Sequence, residues 1–137
     1  MRRGCALVTF GFIGVFGLAV MTAEKPPEDY SKAMKEIGAA MQSVNKVIPA
    51  GDFDTVSKNA ATIIAAFPVV TKYWTGKDDD AVRLSETAKK AAADLGIAAG
   101  LMSAEGVAYA AKELGDTCMV CHTAHRERLP DGSFQIK

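Results

Sequence analysis

Three short breaks divide most of this 137-residue chain into four stretches of helical periodicity. The breaks are Pro49 with Gly51, the polar run "TGKDDD", and the pair Gly96 and Gly100. In "PPEDYSKAMKEIGAAMQSVNKVI", Pro26 and Pro27 suit a first helical turn, and Glu28 and Asp29 favour its positive end. Its inward stripe is Met34, Ile37, Gly38, Met41, Val44, Asn45 and Ile48. A second stretch, about 52–74, starts with Asp52 or Asp54 as cap and carries Val56, Ala60, Ile63, Phe67, Val70 and Trp74. Pro68 lies inside it and is expected to kink or split it. The third, about 79–99, turns Val82, Ala88, Ala92, Leu95 and Ala99 inward. The fourth runs from near Ser103 to about Arg128 with Val107, Ala111, Leu114, Cys118, Cys121, His122 and His125 on one stripe. Pro130-Asp131-Gly132 then signals a turn before the tail "SFQIK". Four helices of about five turns with short connections predict an all-α antiparallel four-helix bundle, one domain over 24–137. Abundant alanine with only 7% aromatic residues agrees with helix over sheet.

The N-terminus reads differently. "MRRGCALVTFGFIGVFGLAVMTA" has two arginines, an apolar run from Gly4 to Met21 and a small-residue exit, the plan of a secretory signal over 1–23 cleaved after Ala23. Met21 is large for its place before such a site, and 18 apolar-run residues just span a bilayer, so an uncleaved membrane anchor is the alternative. Cleavage leaves 14 Lys and Arg against 16 Asp and Glu, a net charge of −2, and removes Cys5. No basic footprint points to nucleic acid. The exported chain keeps one cysteine pair in an oxidising, periplasmic compartment.

That pair sits in "CMVCH", residues 118–122. Cys-x-x-Cys-His is a signal for covalent attachment of haem c. On a helix, positions 118, 121 and 122 share one face. Two thiols can then join the two vinyl groups of one porphyrin while the His122 imidazole reaches the iron. A thioredoxin-like redox pair wants strands around the motif and the cysteines at a helix start, whereas Cys118 lies about four turns into a helix. Half a zinc site lacks a second cysteine pair, and helical geometry at this spacing disfavours a disulfide.

With the motif on the last of four helices, the chain resembles class II cytochromes c, the cytochrome c′ family. The run Gly115, Cys118, Cys121, His122, His125, Arg126 carries the resemblance, which covers roughly residues 27–128. It implies His122 as proximal axial ligand on a four-helix bundle. The family's first helix bears the distal residue with a small residue four positions on, and "KAMKEIGAAM" matches with Met34 and Gly38. In one family branch the distal residue is a non-binding apolar group and the iron is five-coordinate. In the other a methionine binds, and Met34 aligns this chain with that low-spin branch. A thioether is a soft ligand that suits haem iron and raises its potential; the competing readings are Met34 as core filler and Met41 as ligand.

Two positions depart from the family pattern. His125 stands where an aromatic is usual and, on the proximal side, packs beside the haem or bonds a carbonyl or propionate. Tyr30 occupies the slot of a propionate-binding arginine, leaving Arg126 as the propionate contact that the resemblance implies. Trp74 and Tyr73 read as bundle-end packing.

The expected function is a one-electron carrier, not an enzyme, holding one covalent haem and its iron between His122 and Met34 and serving an unidentified redox partner protein. A homodimer is a state the family adopts. The alternative is a five-coordinate protein that binds nitric oxide or carbon monoxide.

Overall fold

The computed structural model describes residues 24–137, so the expected signal segment lies outside the described residues. Four helices follow in order: α1 (Glu28–Val47), α2 (Phe53–Trp74), α3 (Asp79–Gly100) and α4 (Ala104–His125). A two-stranded hairpin ends the chain: β1 (Arg126–Arg128) and β2 (Phe134–Ile136). Among the described residues no helix is long and apolar enough to cross a membrane.

Local chemistry sets the helix ends. Asp52, not Asp54, caps α2: its carboxylate accepts the Thr55 N–H at 3.0 Å and the Thr55 hydroxyl at 2.6 Å. Asp78 accepts from Ala81 N–H at 3.0 Å, and Ser103 from Gly106 N–H at 3.1 Å. Each such cap contributes about 1 kcal/mol. Gly51 (φ 67°) and Gly76 (φ 77°) turn the chain between α1 and α2 and between α2 and α3 in the left-handed region that glycine enters freely. After α3 that position falls on Met102 (φ 53°) rather than on either expected glycine. There Ser103 N–H bonds Ala98 O and Met102 N–H bonds Ala99 O, closing the helix by a Schellman arrangement.

These tight connections make neighbouring helices antiparallel. Each consecutive pair packs along its length, and Val44, Val56, Ile63, Val70, Leu95, Val107 and Leu114 are fully buried. Ala81, Ala88, Ala92 and Ala99 let α2, α3 and α4 approach closely. The first and last helices, by contrast, scarcely meet. The bundle is therefore tight on three sides and parted on the fourth.

Four sequence expectations change. On α3, Leu84 and Ser85 are buried while Val82 is only half-buried, because the helix is covered by both α2 and α4 and buries a wider arc than one stripe. Ser85 tolerates this because its hydroxyl bonds Val82 O at 2.7 Å and the Thr71 hydroxyl at 2.9 Å. Asn45 is exposed, since α1 has no close neighbour on that flank. Pro68 does not split α2; its buried flanks Phe67 and Val70 hold the helix continuous. Finally, α4 stops at His125 instead of continuing to Arg128, because residues 126–128 pair with the tail.

Candidate functional site

The parting between α1 and α4 opens into an apolar cavity of about 220 Å³. Cys118, Cys121 and His122 line it from α4, and Met34, Gly38 and Met41 line it from α1. Phe67 and Val70 of α2 and Leu84 and Ala88 of α3 form its floor. Both helical walls carry a glycine, Gly38 and Gly115, and a Cβ added at either would meet nothing within 4 Å. Two glycines thus leave open space on the α1 and α4 walls of the cavity. The cavity continues into a groove of about 510 Å³ that shares Met34, Gly38, Cys121 and His122 with it. Lys35, Arg126 and Phe134 stand on the groove's walls. Together these spaces are in the range of a large cofactor site.

Cys118, Cys121 and His122 are half-buried, and both cysteines are free. Burial, and then the neighbouring Cys121, push the Cys118 thiol up to about 11. Burial, followed by Asp80 and Asp78, also raises the Cys121 thiol. Both therefore stay protonated at neutral pH, the opposite of an activated thiolate pair. Burial, and then the Arg126 guanidinium, lower the His122 imidazole, favouring the neutral form that a metal ligand must have. Met119 and Val120, the two residues between the cysteines, face outward at 64% and 56% exposure.

The five residues expected to form the site are thus brought around one continuous space: Cys118, Cys121, His122 and Met34 at the cavity, Arg126 on the adjoining groove. Met41, the competing thioether, lines the same cavity. His125 lines the adjoining groove and also reaches the bundle end. Its ring packs on Trp74 with centroids 5.0 Å apart, and its Nδ1 and Nε2 lie 3.6 Å from Asp78 and 3.9 Å from Asp80. Nε2 is nevertheless buried without a hydrogen-bond partner, and the ring lines the groove. Sequence reasoning passed over Lys35, which follows Met34 at the stripe's edge and gives the α1 wall a cation opposite Arg126.

Tyr30, Tyr73 and Trp74 close the bundle end beneath the groove as an aromatic cluster. Trp74 Nε1–H donates to the Tyr30 hydroxyl at 3.3 Å. Burial dominates and pushes the Tyr30 phenol up to about 12 from 10.0. The folded phenol holds its proton more tightly than the unfolded one. Its stabilisation is therefore complete below pH 10 and is lost as pH rises from 10 toward 12. In a Cys118→Ser/Cys121→Ser background, where no thiol titrates, unfolding free energy should fall by ~2–3 kcal/mol across that window. Tyr30→Phe should flatten this part of the curve, as denaturant titrations at stepped pH will read.

Compared with known proteins, the chain matches no family model, no curated protein and no solved structure.

Proposed function

We propose that this chain is a c-type cytochrome of the class II kind, a periplasmic carrier of single electrons with one covalent haem, and not an enzyme. The observation that carries this reading is the shared cleft: both cysteines and the histidine of CMVCH open onto one apolar space that Met34 lines from the opposite helix.

The residues fit the group. Gly38 and Gly115 leave room for a flat apolar body between α1 and α4. Cys118 and Cys121 would hold it by two thioether bonds formed on the porphyrin vinyl groups. His122, kept neutral by burial, would supply the proximal nitrogen, and Met34 the distal sulfur. Lys35 and Arg126 stand on the walls of the groove, where they would meet two propionates. Bound haem supplies the ferric–ferrous couple. With His122 and Met34, both on packed helices, committed to the group, no position would be left open for substrate, which supports a carrier role.

The test is an optical spectrum of the haem-matured protein, oxidised and reduced, with and without carbon monoxide. The expected result is low-spin iron with a methionine-to-iron charge-transfer band, unmoved by carbon monoxide and lost in Met34→Ala. High-spin iron that binds carbon monoxide promptly would instead assign the cleft to gas binding.

A further inference from the structure

Adjoining the cofactor groove, with which it shares His122, Arg126 and Phe134, α4 and the hairpin enclose a shallower groove of about 290 Å³. Met119, His122, Thr123, Arg128 and Phe134 line it together with Arg126. Its apolar side chains are exposed: Met119 of α4 at 64% and Phe134 of the hairpin at 43%, and Val120 stands exposed beside Met119 on α4. Its rim is cationic, and the hairpin register explains why. Arg126 pairs with Ile136, Glu127 with Gln135 and Arg128 with Phe134. Paired residues share a face, so both arginines lie with Phe134 while Glu127 points to the opposite face, where Gln135 holds its carboxylate at 2.9 Å. Arg126 rests over the Phe134 ring, 4.1 Å from its centroid. Lys137 Nζ reaches the Thr123 carbonyl at 2.8 Å and adds a third cation on the α4 side. With Arg126 assigned to the cofactor groove, Arg128 and Lys137 remain, and among the described residues neither pairs with an acidic side chain. The neighbouring acid on α4, Asp116, is engaged by Lys112, and Asp131 is held by Ser133 at the hairpin turn.

An apolar patch with a cationic rim on a protein of net charge −2 after cleavage is a local exception to the molecule's own charge. We propose that this face is the docking surface for an electron-transfer protein that presents carboxylates around its redox centre. The inference rests on the cytochrome reading above. His122 lines the groove, so the partner would sit directly against the residue that meets the iron. A transient redox encounter needs only a small interface, below about 1,200 Å². Charge would set the association rate, and the exposed Met119 and Phe134 side chains would exclude water from the contact.

The test uses the haem-loaded protein in its ferrous state, mixed with an oxidised blue-copper protein of acidic surface. One electron passes from ferrous iron to cupric copper, giving ferric iron and cuprous copper with no bond or proton moved. The second-order rate is expected to fall steeply with ionic strength, and at low salt to drop about ten-fold in Arg128→Glu/Lys137→Glu. A control reversal at Lys46 and Lys58, on exposed positions of α1 and α2, should leave it unchanged. A rate insensitive to salt, or slowed equally by the control pair, overturns the docking surface. A spectrum taken first on the same sample shows whether haem is present, so failure of the cytochrome reading is seen separately. A second readout needs no haem: hexacyanochromate(III), an inert paramagnetic trianion, should broaden the Met119 methyl resonance, and the Arg128→Glu/Lys137→Glu pair should remove that broadening. Broadening centred elsewhere on the molecule counts against the proposal.

Discussion

With Cys118 and Cys121 both changed to serine, no haem will remain with the polypeptide on a denaturing gel, whereas the parent chain will keep it. The two thiols are the only groups in the cleft that can form thioethers, since the remaining cysteine of the chain, Cys5, lies in the expected signal. Serine is a mild change at these positions: the thiols are half-buried and free, and the two residue types have similar helix propensity. Each single variant should retain attachment through one bond at reduced yield. The double variant also exposes what the cofactor does for the fold. A cavity of about 220 Å³ left without its occupant costs at most ~5 kcal/mol at the price per volume of core truncations. Rotation of Met34 and Met41 into the space recovers part of that, because methionine fills irregular gaps. The cost still compares with the whole stability of a small domain. Thermal melts of the two forms should therefore differ by about eight degrees or more, corresponding to ~2 kcal/mol and more. Equal melting temperatures would mean that nothing large fills the cleft in the mature protein.

The bundle was readable because its signals are local and repeated. Helical periodicity, the caps Asp52 and Ser103, and an aspartate at the end of "TGKDDD" all point to the same four elements. The site was readable for a related reason: Cys118, Cys121 and His122 are fixed relative to one another by a single helix, whatever the rest of the chain does. Properties that arise between elements were harder. The burial of Leu84 and Ser85 depends on α3 having two neighbours, and the exposure of Asn45 on α1 lacking one. His125 illustrates the same point. Its spacing places it on the stripe of the motif, but its surroundings are Trp74 from α2 and two aspartates from the start of α3. The hairpin is three residues against three, too short for alternation to announce it, and its partner Glu24 lies more than a hundred residues away in sequence. Its pairing also decides that Arg126 leaves the helix at the groove's edge, a position that spacing along α4 could not give.

Gly38→Leu is expected to separate stability from function in opposite directions. Glycine in the middle of a helix costs about 1 kcal/mol relative to a good helix former. Nothing in the backbone calls for it here, since Gly38 is not among the glycines with positive φ. No neighbour calls for it either, since an added Cβ meets nothing within 4 Å. The haem-free chain should therefore gain twice, from helix propensity and from an apolar side chain covering the cleft wall, and melt several degrees higher. The same side chain stands next to Met34 in the space assigned to the porphyrin. Covalent attachment should fall several-fold, and in what haem is attached the low-spin fraction should drop as Met34 is held off the iron. Gly115→Leu tests the opposite wall in the same way, because that glycine lines the cavity from α4 and is equally unhindered. A haem-free chain that melts lower in either variant would show that the glycine serves helix packing. A stabilised chain with full attachment and an unchanged spectrum would place the cofactor outside this cleft. The combination of higher stability and lost loading has one physical reading: the two glycines are retained at a cost in stability because the space they leave is needed.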